Sequence, residues 1–222
     1  MADVGGGRRT FTGLEVARVR TNLERVRERI AAAGRDPADV QICAAIKYVP
    51  AEELGVLSEA GIEVVGENRA QELVAKQDAA GPGAFAEWHF IGALQSRKVR
   101  DVSPRVSLIH SLASESALGQ LETHPAPEVL VQVNVAGEAE KAGIAPADLG
   151  DFIARCPVPV GGLMTMPPAV ERPEDNRRWF AALAELAGEH GLNKLSMGTT
   201  QDFEVAVAEG ATIVRLGTVL YE

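Results

Sequence analysis

Aromatic side chains make up only 5% of the 222 residues, and cysteine occurs only twice. Cys43 and Cys156 lie far apart, in no metal or redox spacing, so a disulfide scaffold is excluded and a reduced cytoplasmic setting is expected. Long apolar runs are missing too. The longest uncharged stretch, Cys156 to Val170, is broken by Pro157, Pro159, Gly161, Gly162, Pro167 and Pro168 and cannot be a spanning helix. Met1 to Arg9 contains no apolar core of the kind a secretory signal requires. Basic residues are in deficit: 22 Lys and Arg face 31 Asp and Glu, a net charge of −9. Such a surface repels phosphate backbones, so neither nucleic acid nor membrane is expected as a partner.

What remains is a chain that is 46% hydrophobic and 24% charged, rich in small aliphatic residues, as layered helix-and-strand proteins are. Residues 1–13 are Gly-rich and polar and are expected to form a flexible tail, with one domain over 14–222. Val16, Val19, Leu23, Val26 and Ile30 recur at helical steps, which predicts an amphipathic first helix stopped by Gly34. Beyond it, aliphatic runs alternate with helical patterns. The runs are 40–46, 63–65, 88–91, 106–109, 129–133, 158–164, 195–197 and 211–216. The helical stretches are 51–60, 67–79, 94–102, 114–122, 146–155, 173–190 and 200–209. In the 173–190 stretch, Trp179, Leu183, Leu186 and His190 share one face. Eight strands alternating with helices predict an α/β fold, a (β/α)8 TIM-type barrel with an extra N-terminal helix. An open doubly wound sheet is the second choice.

In a barrel, function collects where strand C-termini converge. Lys47 follows the first run, where desolvation would lower its pKa and free the amine for a Schiff base. Later strand ends carry Asn68, His89, Ser111, Asn134, Met164, Ser196 and Arg215. Each also has a plainer reading: Asn68 and Thr200 as helix caps, His89 as a bonded core histidine, Ser111 and Asn134 as turn formers.

Ser196-Met197-Gly198 and Gly217-Thr218 follow the last two strands, the usual phosphate site of this barrel, and Thr199-Thr200 can cap a helix or donate to phosphate. A phosphate site facing a Schiff-base lysine fits pyridoxal 5′-phosphate (PLP) and equally a sugar-phosphate aldolase substrate. Arg215 favours PLP, because a cation there is placed to meet the pyridine nitrogen.

The motifs Ile46-Lys47, Gly66 to Glu72, Trp88 to Lys98, Gln132-Val133-Asn134, Gly162 to Thr165, Leu195 to Gly198 and Ile213 to Thr218 resemble those of the pyridoxal phosphate homeostasis protein family. The resemblance implies a barrel like the N-terminal domain of alanine racemase, with PLP held as an internal aldimine on Lys47. It further implies Asn68 near the ring's oxygen side, Arg215 facing the ring nitrogen, and Ser196, Met197, Thr200, Gly217 and Thr218 on the phosphate side. His89, Ser111, Asn134 and Met164 would form a surrounding layer. The implied role is to buffer or supply PLP without dedicated turnover, as a monomer or weak dimer, with apo PLP-dependent enzymes as acceptors. Three positions depart from the family pattern: Ile46 stands where Ser is common, Ala93 where a polar residue is usual, and Thr199-Thr200 replace Met-Ser.

The alternatives are a PLP-dependent racemase or decarboxylase, and an aldolase without PLP. Racemisation needs an acid/base group on each face of the substrate. With only four residues after Thr218, no second domain is expected to supply one, and Tyr48 is the remaining candidate. The 173–190 helix, with Trp179 beside Phe180, is a candidate docking patch, though burial against the barrel competes.

Overall fold

Eight parallel strands close on themselves in sequence order, β1 pairing with both β2 and β8. In this computed structural model, which describes residues 10–138 and 141–222, they are β1 (Gln41–Ala45), β2 (Val64–Glu67), β3 (Glu87–Phe90), β4 (Leu108–Leu112), β5 (Val129–Gln132), β6 (Val160–Met164), β7 (Lys194–Thr199) and β8 (Ile213–Leu216). The helices are α1 (Val16–Ala32), α2 (Leu54–Glu59), α3 (Ala70–Ala80), α4 (Val99–Val102), α5 (Glu115–Leu121), α6 (Leu149–Ala154), α7 (Arg177–Glu189), α8 (Phe203–Ala208) and α9 (Thr218–Tyr221). All eight expected strands are present within a few residues of their expected limits, and the barrel rather than the open sheet is the fold. Among the described residues no helix is long and apolar enough to cross a membrane.

Strand side chains alternate between two environments, as a period of two requires. Ala44, Val65, Phe90, Ile109, Val131, Leu163, Met197 and Val214 join the large aliphatic layer beneath the helices. Their neighbours Cys43, Val64, Leu108, Leu130, Met164 and Ile213 form a separate, small cluster. That second space is narrow: a Cβ on Gly66 would stand 2.7 Å from Cys43 Sγ and 2.9 Å from Ile91 Cδ1. Its polar members, His89, His110, Ser196 and Arg215, are all buried.

Helix α1 buries Val19, Leu23, Val26 and Ile30, four of the five apolar positions that predict it, while Val16 is half-buried. Each fully buried aliphatic of this kind stabilises by about 1.5–3 kcal/mol. Buried Asn22 ties the helix to the C-terminal segment by donating from Nδ2 to Leu220 O at 3.2 Å and Glu222 O at 2.8 Å.

One expectation needs correction and two features were not foreseen. The buried face of α7 is Phe180, Leu183 and Ala187, whereas Trp179 is half-buried against Arg178 and His190 is exposed. Phe180 therefore serves the core and leaves only Trp179 of the supposed docking pair. The last residues form α9, with Leu220 and Tyr221 buried, where the sequence shows too few residues for any period to register. Finally, the end of the expected tail is held in place. Phe11 N donates to Tyr48 O at 2.8 Å, its ring lies 5.1 Å from Tyr221, and Gly13 N donates to Glu53 Oε1 at 2.6 Å. The rest of that expected tail, residues 1–9, lies outside the described residues.

Candidate functional site

A cavity of about 560 Å³ opens where the strand C-termini converge. Among its lining residues are Lys47, Asn68, Met164, Thr200, Arg215, Gly217 and Thr218, seven of the twelve positions singled out from sequence. The described lining holds two cations and no carboxylate, inside a protein of net charge −9.

Lys47 sits in the turn that leaves β1, closed by a bond from Val49 N to Ile46 O of 3.0 Å. Ile46 is buried in the outer layer and Lys47 points the other way, so the Ile at that position does not obstruct the lysine. The lysine is exposed rather than desolvated, because its strand has already ended at the rim. Its Nζ lies 4.7 Å from the centre of the Tyr48 ring, and among the described residues no carboxylate pairs with it.

Beneath this turn lies a feature that the sequence reading missed. Lys76 of α3 places its Nζ 2.5 Å from Glu67 Oε2 and 2.6 Å from Ile46 O, with both side chains buried. Glu67 Oε1 in turn accepts from the backbone N of Asn68 at 2.6 Å and of Arg69 at 3.2 Å. One buried ion pair thus fixes the two loops that carry Lys47 and Asn68. Its only sequence signal is a lysine on the first helical face after a Gly-Glu-Asn turn.

Asn68 Oδ1 is buried without a hydrogen-bond partner and belongs to a residue lining the cavity, so it can accept from a bound donor. The Asn68 backbone lies so close to Gly92 that a Cβ there would stand 1.9 Å from Asn68 O. Ser111 donates to Gly92 O and so holds this contact from outside the cavity. Asn134 also lies off the cavity. It donates from Nδ2 to Glu138 O at 2.8 Å and accepts from Glu138 N at 3.2 Å, as a turn former does.

On the opposite wall, Gly198 adopts φ +89, and a Cβ there would come 2.7 Å from Ala206 Cβ. Asp202 accepts from Thr199 N at 2.8 Å and Thr199 Oγ1 at 3.0 Å, which leaves Thr200 directed at the cavity. Thr200 Oγ1 accepts from Gly217 N over a long 3.4 Å, a bond weak enough to yield to a better acceptor. Met197 and Ser196 lie elsewhere: Met197 packs into the outer layer, and Ser196 is buried below the cavity floor.

Arg215 is the floor. Its NH1 donates to Ser196 O at 2.7 Å and Ser196 Oγ at 2.5 Å, and its NH2 to Thr165 O at 2.9 Å, with Met166 Sδ alongside. No carboxylate touches it among the described residues, and burial pushes the guanidinium down to about 10, leaving it charged at neutral pH. Below it, His110 Nδ1 is 2.8 Å from Ser196 Oγ, His110 Nε2 is 3.0 Å from His89 Nδ1, and His89 Nε2 is 2.9 Å from Glu87 Oε2. His89 therefore lies well beneath the cavity as a bonded interior histidine. Burial holds His110 well below its ordinary pKa, and burial pushes the nearby Cys43 thiol up to about 12.

This geometry can anchor an elongated anionic molecule: hydroxyl and backbone donors at one wall, a primary amine at the other, and a guanidinium beneath. The family model for the alanine racemase N-terminal domain matches residues 14–222. The chain is 41% identical over 214 residues to the pyridoxal phosphate homeostasis protein of Aquifex aeolicus, covering 90% of this chain and 93% of that one. It is also 41% identical over 209 residues to the protein of the same name from Pseudomonas aeruginosa, covering 89% and 90%. Among solved structures it is similar to PipY of Synechococcus elongatus with PLP bound, with TM-score 0.78 and 31% identity over 92% of this chain and 100% of that one.

Proposed function

The chain belongs to the pyridoxal phosphate homeostasis proteins within the alanine racemase N-terminal domain family, and from that premise we propose that it holds PLP covalently at the barrel mouth and buffers or supplies it without dedicated turnover. The observation that carries this reading is the acid-free mouth of an acidic protein, with Lys47 and Arg215 as its two cations. The residues fit the group: Asn68 Oδ1 is an orphaned buried acceptor, matched to the donor hydroxyl on the PLP ring.

When bound, PLP supplies a reactive aldehyde and an electron-withdrawing ring. Lys47 Nζ provides the amine for covalent attachment, and its exposed position keeps that attachment open to water and to exchange. Arg215 presents a proton-rich guanidinium to the ring nitrogen, which keeps that nitrogen unprotonated and weakens the ring as an electron sink. Thr200, Gly217 and Thr218 hold the phosphate with hydroxyl and backbone donors. Ser196, just below the cavity floor, acts by holding Arg215 rather than by touching phosphate.

The titratable groups at hand support a role without racemase turnover. Lys47, Tyr48 and Arg215 are the only ionisable side chains in the described lining. Two-sided proton transfer would need Tyr48 as the second group, yet its ring lies against Lys47 itself, 4.7 Å from Nζ. The test is a transfer assay. The loaded protein is mixed with an apo PLP-dependent enzyme, and recovery of the acceptor's activity is timed against passive PLP release. Transfer faster than passive release supports supply and equal rates support buffering, in both cases without racemised or decarboxylated amino acid at enzymatic rates. Steady turnover of an amino acid by the purified protein would reject the reading.

A further inference from the structure

The narrow space inside the barrel holds five polar side chains joined end to end by four bonds, running from the mouth to the opposite opening. Arg215 is bonded to Ser196, Ser196 to His110, His110 to His89, and His89 to Glu87, over 2.5, 2.8, 3.0 and 2.9 Å. The links come from β8, β7, β4, β3 and β3 in turn. Glu87, at the far end, is open to a second cavity of about 660 Å³ at the N-terminal ends of the strands.

With one proton on each imidazole, the direction of every bond follows from the two ends. A guanidinium can only donate, so Ser196 Oγ accepts from Arg215 NH1. Its own proton then goes to His110 Nδ1, its other partner among the described residues. His110 is buried and neutral, so with Nδ1 bare its proton is on Nε2 and donates to His89 Nδ1. The remaining His89 proton is on Nε2 and donates to Glu87 Oε2, and a carboxylate can only accept. Every donor faces an acceptor, and the sense is the same throughout.

Arg215 is thus a buried cation without a touching counter-ion, and Glu87 is the carboxylate at the end of its chain. Hydrogen bonds in series polarise one another, and an ionised terminus strengthens the series. The His89 bond is the main cause holding Glu87 down near 2, so the carboxylate is ionised at neutral pH. We propose that Glu87 is a positioning residue for Arg215, acting through His89, His110 and Ser196 to orient the guanidinium and supply its counter-charge from the opposite end of the barrel. Cys43, His89 and His110 also bring their ligand atoms within 4.8 Å of one another, a spacing suited to a soft metal ion. All four imidazole nitrogens are already engaged in the chain, and the thiol is held protonated, so the chain is the reading that fits.

The functional half of the inference rests on PLP as the ligand at the mouth; the wiring does not. The full chain, labelled with 15N-histidine and free of PLP, is examined by long-range 1H–15N NMR. The proposed wiring places a proton on Nε2 and none on Nδ1 in both His89 and His110. A proton on Nδ1 of either residue overturns the wiring. In the second arm, PLP affinity and the absorption maximum of the loaded protein are compared for wild type, Glu87→Gln and Gln41→Ala. Gln at 87 keeps shape and an acceptor but removes the charge, and affinity is expected to fall roughly tenfold with a shifted absorption band. Gln41 Nε2 bonds Glu87 at 3.0 Å from outside the chain, so Gln41→Ala should keep affinity within about twofold and leave the band in place. An unchanged band and affinity in Glu87→Gln overturn the proposal, as does an equal effect of Gln41→Ala. Should the wild type take up no PLP, the cofactor reading falls, while the tautomer spectrum still decides the wiring.

Discussion

The two ends of the barrel are built from the same eight strands and carry opposite charge. At the C-terminal mouth the described cavity lining has Lys47 and Arg215 and no acid, whereas the cavity at the N-terminal end has Asp39, Glu63 and Glu87 against Arg27. The N-terminal cavity is the larger, so size does not mark the site. Charge and bonding do. The mouth also presents an orphaned acceptor on Asn68 and a hydroxyl on Thr200 loosely bonded at 3.4 Å, whereas Glu87 at the other end is already satisfied by Gln41, His89 and Ser107. An acidic protein can therefore hold an anionic ligand by keeping its acids off one rim.

The largest expected effect comes from the pair under the mouth. Lys76→Met leaves Glu67 buried without its cation and should lower unfolding free energy by about 3–5 kcal/mol in urea titrations, with the loops of Lys47 and Asn68 loosened first. A loss below about 1 kcal/mol would mean the pair does not support the rim.

Arg215→Gln should weaken PLP binding by roughly ten- to a hundredfold while costing less stability than Lys76→Met, since among the described residues it leaves no touching carboxylate unpaired. At the other end, Glu63→Gln should change PLP affinity by less than about twofold, which is the sharper form of the contrast. Thr200→Ala removes one hydroxyl and should cost about 1 kcal/mol of binding, close to fivefold, read by equilibrium dialysis.

The smallest effect is a pH signature. Glu87 is lowered from 4.5 to about 2, chiefly by the His89 hydrogen bond, so the folded state holds its proton less readily than the unfolded chain. Its stabilisation is complete above the unfolded value and is lost as pH falls through the window from about 4.5 to about 2. Glu87→Gln should flatten acid denaturation in that window only. A variant that tracks wild type there would remove Glu87 from the account.

The eight strands were legible because each combines a short aliphatic run with helical spacing on either side, and Lys47, Arg215, Gly217 and Thr218 were legible because a barrel sends strand ends to one mouth. Ser196 was not, because strand alternation does not say how deep a residue sits. Its Oγ meets Arg215 from below, one step short of the cavity. The burial of Phe180 in place of Trp179 shows the same limit, since two adjacent aromatics leave the phase of α7 undecided until the barrel packs on it. Cys43, His89 and His110 are 67 residues apart end to end and share no motif, and only closure of the sheet brings them within 4.8 Å. The Glu67–Lys76 pair, by contrast, lies within nine residues, but nothing in its spacing says that both side chains are buried.

Covalent capture at Lys47 is the most direct test of PLP binding at this mouth. The full chain, incubated with PLP, reduced with borohydride and mapped by peptide mass spectrometry, should carry the pyridoxyl group on the peptide containing Lys47, and Lys47→Ala should carry none while keeping wild-type stability within about 0.5 kcal/mol. Label on another lysine, or an unlabelled wild type, would contradict it.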